Sequence, residues 1–452
     1  MNSHGKGISP SSPSRREFLK TSGRVAVAST LIGVATPRVH AGHDSTVKLA
    51  LIGCGGRGTG AVGNAMAATG GPVKLHAMAD IFQNRLDSSY NALSGRFGER
   101  IDVADDRKFI GFDAYRKAID SLDPNDVVIL TTQSAFRPVH FDYAVERGVN
   151  VFMEKSFAVD SPATRRLMIA GEKSVEKNMK VGVGFMWRHS AEREAVIDRI
   201  HGGEIGDVNT LRIYRVHGPV HCPTRPADQR QVEFQLQRAS RFNWACAGFY
   251  IDWHCHNIDV GCWAKGAWPI KAQGMGGRCY KEAQNYFDHY TVEYTFADGA
   301  KMFVFSRHMP NCWGTYADYA HGTKGSAVLM TNLAQPKTRI YNSQNMAPDT
   351  LAWQFEGKEQ NPYDAEWQLL LDAIRNDTPH NEVKRAGEAN FAALMGRAAT
   401  HSGQEVTWDQ IVNSEFQHVA DIDNLNFDSE APIVEGADGL YPCPVPGLTI
   451  EH

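Results

Sequence analysis

The sequence predicts an α/β protein in which an N-terminal doubly wound parallel sheet is followed by an α+β domain. That second domain carries a large, open, mostly antiparallel sheet. Three observations predict it. Residues 47–185 alternate short Val-, Ile- and Met-rich segments with amphipathic ones, the rhythm of successive strand–helix units. Past Arg188 the rhythm changes, and strand patterns follow one another directly. The first apolar strand runs straight into glycines spaced G-x-G-x-x-G, Gly53-Cys54-Gly55-Gly56-Arg57-Gly58.

Taken from the N-terminus, Ser14-Arg15-Arg16-Glu17-Phe18-Leu19-Lys20 precedes a weakly apolar stretch, residues 25–34, and then Val39-His40-Ala41, which suits a small-residue cleavage site. This pattern predicts a twin-arginine leader over residues 1–41, recognition by the twin-arginine export machinery, and a periplasmic or otherwise exported protein. Arg24, Ser29, Thr30 and Gly33 break the leader's apolar run, and no later run reaches the roughly 18 residues a span needs, so no membrane is expected for the mature form. At 452 residues the remainder exceeds one core. It divides into residues 45–186, residues 187–430 and a tail over residues 431–452. The net charge of −4 becomes more negative once the basic leader is gone, which argues against nucleic acid or an anionic membrane surface as partner.

In the first domain strands are expected at 73–80, 127–132, 150–154 and 180–185, with helices at 59–68, 84–94, 138–147 and 163–178. In the second, strands are expected at 208–217, 270–275, 290–296, 301–306 and 326–330, with one helix near 249–264. Residues 218–241 are polar and unpatterned and read as a lid or binding loop. Late helices are expected at 364–375 and 387–401. The four prolines of residues 432–446 predict an extended tail lying over the surface. The eight cysteines form no C-x-x-C, so neither a metal site nor a redox pair is expected. Buried free thiols are predicted, with one late bridge among Cys222, Cys246 and Cys279.

The glycine loop has the context that gives it meaning. It follows an apolar strand and opens a helix whose N-terminus would face a pyrophosphate. Gly53 permits the tight turn, Gly55 the close approach of phosphate, and Gly58 the packing of helix on strand. Asp80 ends the second strand, where a carboxylate accepts the adenosine ribose hydroxyls. A 2′-phosphate would meet its charge, so NAD is expected over NADP, with Arg57 as a mild counter-argument. Nicotinamide nucleotides are not supplied outside the cytoplasm, so an exported enzyme should hold its cofactor tightly or recycle its hydride.

Glu154-Lys155 ends a strand on the crevice side of such a sheet, where Lys155 would bridge a substrate hydroxyl. Farther on, Asp252, His256 and Asp259 share one helical face. An imidazole flanked by carboxylates is expected to have a raised pKa and to serve as a general base. A hydrogen-bonded core histidine and a metal site of His254, His256 and Asp259 are the rival readings, and the second fails because His254 points off the shared face.

At these residues the chain resembles the Gfo/Idh/MocA family, which includes glucose–fructose oxidoreductase and inositol dehydrogenase, and within it the exported members. The likeness runs from about Val47 to Ile450. It is carried by Gly53 to Gly58 and Asp80, by Phe136-Arg137-Pro138-Val139-His140, by Val151-Phe152-Met153-Glu154-Lys155, and by His254-Cys255-His256-Asn257-Ile258-Asp259. Gly322-Thr323-Lys324-Gly325-Ser326, Met395-Gly396-Arg397, Ser402-Gly403 and Val406-Thr407-Trp408 extend it. The resemblance implies a Rossmann domain, an open-sheet domain whose exposed face makes a homodimer or homotetramer, and a lysine and a histidine acting on a sugar or polyol hydroxyl. Those roles fall on Lys155 and His256, with Asp252 orienting or sharing the proton. Ser156 stands where the family has proline, so a cis bond after Lys155 is not expected.

The resulting expectation is an exported NAD-dependent oxidoreductase acting on CH–OH groups of a sugar, cyclitol or glycoside. Cofactor contacts are expected from Gly53, Gly55, Arg57, Gly58, Asp80, Thr132, Glu154 and Lys155. Substrate contacts are expected among Arg137, Trp187, Arg188, His189, Trp244, His254, Asp259 and Arg307, with Trp313 a further candidate. The alternative is an NAD-dependent glycoside hydrolase that oxidises C3, eliminates the aglycone, adds water and reduces back. A second alternative is a non-catalytic sugar-binding protein on the same fold.

Overall fold

The computed structural model describes residues 46–452 except 333–336, so the leader and its cleavage site lie outside the described residues. Six strands make the first sheet: β1 (Val47–Ile52), β2 (Val73–Asp80), β3 (Lys108–Ile110), β4 (Val127–Leu130), β5 (Asn150–Met153) and β6 (Val181–Val183). They pair in parallel in the order β3-β2-β1-β4-β5-β6. Strand order reverses between β1 and β4, which opens a crevice at their carboxyl ends. β4 and β5 are wholly buried, as strands covered by helices on both faces must be.

The second sheet holds β7 (Val208–His217), β8 (Lys271–Gly277), β9 (His289–Thr295), β10 (Lys301–His308), β11 (Thr315–Gly322), β12 (Ser326–Thr331), β13 (Arg339–Tyr341), β14 (Leu351–Gln354) and β15 (Val406–Thr407). Its order is β14-β13-β12-β11-β7-β10-β9-β8-β15. Only the central β7–β10 pair is parallel among the described pairings. Along β9 and β10 burial alternates, so Tyr290, Val292, Tyr294, Met302 and Val304 point into the core. Helices Gly248–Lys265 and Val383–Ser402 cover that face. The second helix lies so close that an added Cβ at Gly396 would stand 2.0 Å from the Tyr294 hydroxyl, which itself donates to the Ala392 carbonyl at 3.0 Å.

The chain then returns to the first sheet. Trp367, on helix Pro362–Arg375, stacks on Phe152 at 4.4 Å, and Leu370, Leu371 and Ile374 join the same core. Residues 380–382 bond both ways with Val181, through Val181 N–H to the His380 carbonyl at 2.9 Å and Glu382 N–H to the Val181 carbonyl at 3.0 Å. That pairing covers the β6 edge.

Three expectations need correction. Residues 218–241 are not unpatterned throughout, since Gln231–Gln237 is a helix that buries Val232, Phe234 and Leu236. The tail does not simply lie over the surface: Tyr441 is buried, and Glu451 ends in the core, 2.9 Å from Arg397 and 2.7 Å from His401. All eight cysteines are free, so no bridge joins Cys222, Cys246 and Cys279. Cys222 instead donates to the Ala283 carbonyl.

Candidate active site

The glycine loop is built as its spacing requires. Gly53 has φ +97°, a left-handed conformation that costs a side chain dearly. An added Cβ at Gly58 would stand 2.1 Å from the Gly53 carbonyl oxygen, whereas one at Gly55 would meet nothing within 4 Å. The closed position fixes helix against strand, and the open one leaves room for a phosphate. Helix Gly56–Ala67 carries no acidic residue in its first turn, so its positive end is not neutralised.

Asp80 lies beside this loop. One oxygen accepts the Cys54 N–H at 2.7 Å and the other the Phe82 N–H at 2.9 Å. Burial raises its pKa, and these backbone donors oppose the rise. Gly53, Gly55, Asp80 and Thr132 line one cleft. Arg85, Phe112, Gln133 and His140 also line it, and sequence spacing assigned none of them. Arg85 hangs over the Phe82 ring at 4.8 Å and donates to the Gln237 carbonyl at 2.8 Å. His140 contacts the Thr132 hydroxyl at 3.1 Å, and burial with the neighbouring arginines pushes its pKa down to about 3. Arg137 is buried and donates to the Thr132 carbonyl at 2.9 Å, so it braces the cleft wall; burial lowers its pKa to about 10.

Arg57 and Glu154 pair with each other at 2.8 Å. Arg57 also reaches Asn64 at 2.8 Å and lies over the Tyr363 ring at 4.6 Å. Asn64 in turn donates to Asp364 at 2.7 Å. Helix Pro362–Arg375 is therefore tied across the glycine-loop helix. Behind it, no described group donates to either oxygen of buried Glu366, whose pKa burial and the Glu154 charge raise well above the ordinary value.

At the far end of β5, Lys155 donates to the Asp252 carboxylate at 3.0 Å and to the Asp252 carbonyl. Burial works against its charge, but Asp252 outweighs burial and the pKa stands above that of an ordinary lysine. The Lys155–Ser156 bond is cis, against expectation. Ser156 is fully buried, with its hydroxyl 3.0 Å from that of Ser134 and donating to the Cys246 carbonyl at 3.3 Å. Tertiary surroundings decide this bond rather than the local amide preference.

His256 differs from expectation in charge. Its pKa is pushed well below the ordinary value, first by burial and then by the charges of Lys155, Arg215 and Arg193. The flanking carboxylates are engaged elsewhere, Asp252 by Lys155 and Asp259 by Arg188 at 2.7 and 2.8 Å. The imidazole is therefore neutral, with the Phe185 ring edge-on at 5.8 Å. No described group bonds its Nδ1.

Several expected substrate residues are buried or engaged by other groups of the protein. His254 is buried between Phe249 and Tyr250, at 5.3 and 5.4 Å. Trp244 is buried and donates to Gln235 at 2.7 Å. Arg188 and Asp259 are consumed by their ion pair, and His189 lies 3.2 Å from Glu382. Trp187 remains half-buried beneath the Arg193 guanidinium at 3.7 Å, donating to the Tyr316 hydroxyl at 3.2 Å. Arg307 donates to the carbonyl of exposed Trp313 at 2.7 Å. Arg215 stands near both His256 and Asp318, and its charge lowers the pKa of each. Burial pushes the Asp318 carboxyl up to about 7 despite two bonds from Asn257 at 2.9 and 3.0 Å. Spacing missed Asp318 because the buried positions of β11 are Thr315, Ala317, Asp318, Ala320 and Gly322, with no large apolar side chain among them.

No family model and no curated protein matches the chain. Solved structures share its fold. Apo scyllo-inositol dehydrogenase from Lactobacillus casei is 18% identical, covers 81% of this chain and 99% of its own, and superposes with a TM-score of 0.58. Aldose-aldose oxidoreductase from Caulobacter crescentus, complexed with glycerol, is 16% identical over 80% of this chain and 100% of its own, with a TM-score of 0.61. An oxidoreductase from Agrobacterium radiobacter in complex with NAD+, L-tartaric acid and magnesium is 15% identical over 81% of this chain and 99% of its own, also at 0.61.

Proposed function

On this fold, which is that of inositol dehydrogenases and other Gfo/Idh/MocA-type oxidoreductases, we propose an exported NAD-dependent oxidoreductase. It transfers a hydride to or from a secondary hydroxyl of a sugar, cyclitol or glycoside. The observation that carries this reading is the charge arrangement at the end of β5. A lysine held protonated by Asp252 stands close enough to His256 for its charge to help keep that imidazole neutral.

The residues present fit a dinucleotide: a glycine bend with an open face at Gly55, an unneutralised helix N-terminus, and Asp80 beside a cleft. Gly53, Gly55, Gly58, Asp80 and Thr132 would hold it, and when bound it supplies a nicotinamide that takes or gives a hydride. In the oxidative direction neutral His256 accepts the hydroxyl proton. Lys155 donates a hydrogen bond to the oxygen and stabilises its developing charge, while Asp252 keeps the ammonium charged and aimed. In the reductive direction the proton returns from His256. The ties among Arg57, Asn64, Tyr363 and Asp364 support tight retention, which an exported enzyme needs. Asp80 favours NAD over NADP, with Arg85 the nearby cation that opposes this preference. The half-exposed rings of Tyr214 and Phe305, stacked at 5.0 Å on the outer face of the second sheet, support self-association as a dimer or tetramer.

Denaturing the protein purified from the periplasm and identifying the released nucleotide tests export, cofactor identity and retention together. NAD in near-equimolar amount is expected, and protein free of nucleotide contradicts the reading. Cleavage of a nitrophenyl glycoside without added acceptor would instead favour the hydrolytic alternative.

A further inference from the structure

Well away from the glycine loop, the start of β9 and the segment after β8 bring together a thiol, an imidazole and a carboxylate. Ligand atoms of Cys279, Asp288 and His289 all lie within 4.8 Å of one another. The Asp288 oxygen that faces His289 stands 2.8 Å from its Nδ1, and Cys279 Sγ stands 4.0 Å from that same nitrogen. We propose that Cys279, Asp288 and His289 form a zinc site that clips the β8–β9 connection.

The carboxylate is prepared for such a role. Its second oxygen accepts the N–H groups of Cys279 at 2.8 Å and Tyr280 at 2.9 Å, which fixes the plane of the group and leaves the first oxygen turned toward the imidazole. Outer bonds of this kind orient metal ligands. Asp288 is buried, His289 partly exposed and Cys279 exposed, so an ion has an entry path and the fourth position is open to water. Ligand atoms around a tetrahedral zinc ion stand about 3.3–3.7 Å apart, given bonds of about 2.0–2.3 Å. Binding therefore asks the Asp288–His289 pair to open by about half an ångström and the exposed thiol to close in on both other ligands. A thiolate and an imidazole select a borderline-soft cation, whereas calcium and magnesium take oxygen ligands.

The site bears on the rest of the molecule through the segment it closes. Within that segment Ala283 bonds Cys222, and Asn285 accepts two bonds from Asn243, at 2.7 and 3.0 Å. Asn243 packs under Gly248, at the start of the helix that bears Asp252 and His256. An ion bound there would tie down the segment beneath that helix. Sequence spacing, with no C-x-x-C, predicts no such site, because only the pairing of β8 with β9 assembles it.

Full-length protein stripped with a chelator and titrated with zinc ions should bind one equivalent. Cobalt substitution should give a near-ultraviolet thiolate-to-cobalt charge-transfer band. Cys279→Ser, an exposed change that leaves the fold intact, should abolish that band and weaken zinc binding at least about tenfold, and His289→Ala should likewise weaken binding. Cys312→Ser, at the other exposed thiol, should change neither. A wild-type protein without the band, or a band that survives Cys279→Ser, overturns the proposal.

Discussion

The glycine-loop end and the Lys155 end of the crevice lie on one sheet but are built in different ways. The first is made from a short stretch of chain: Gly53 to Gly58 follow β1 and Asp80 ends the adjacent parallel strand β2, and backbone geometry does most of the work. The second joins the end of β5 to a helix that starts almost a hundred residues later, so its chemistry depends on which charged group reaches which partner. Motif spacing therefore describes the first well. It describes the second only as a set of residues, without their charge states.

Breaking the backbone-built end should have the largest effect. Gly58→Ala places a Cβ 2.1 Å from the Gly53 oxygen, so the released nucleotide should fall to background and activity with it, as absorbance of the denatured supernatant will report. At the other end His256→Asn should lower kcat by about 10²–10⁴-fold, the range for a general base, with bound nucleotide unchanged. Loss of nucleotide from that variant would erase the distinction between the two ends.

The pH dependence sharpens it. His256 is depressed, so the acid limb of kcat/KM should fall below the ordinary histidine value of about 6.5; a carboxylate-flanked imidazole would put it above. Lys155 is raised by Asp252 against the effect of burial. Asp252→Asn removes the main charge that opposes burial, so the Lys155 pKa drops and the alkaline limb should move down by about 1–3 pH units. The smallest effect is expected where the two ends are tied together. Tyr363→Ala removes the ring under Arg57 and should speed nucleotide dissociation about five- to thirtyfold, matching a cation–π contact of roughly 1–2 kcal/mol.

Much of the fold was legible because burial dictates composition. β4 and β5 read as continuous apolar runs, and β9 and β10 alternate. The remainder was hidden for physical reasons. β11 buries alanines where a strand pattern wants bulk, and the short β13 to β15 gain identity only from their neighbours. The tail is proline-rich, yet Glu451 is drawn inward by Arg397 and His401, which sequence distance conceals. At the site, Lys155, Asp252 and His256 were identifiable as chemistry-bearing residues. The capture of Asp259 by Arg188 was not, nor was the burial that, with the nearby Lys155 charge, depresses the His256 imidazole. Trp244 and His254 looked like sugar contacts because aromatic and imidazole groups serve both cores and sites.

The most direct test is a single turnover with the bound nucleotide. Wild-type protein and Lys155→Ala, shown to hold equal nucleotide, are mixed with a panel of sugars and cyclitols while the near-ultraviolet absorbance of reduced nicotinamide is followed. The wild type should reduce its nucleotide with at least one member of the panel, and Lys155→Ala should do so at least about a hundredfold more slowly. Equal rates in the two proteins would contradict the account.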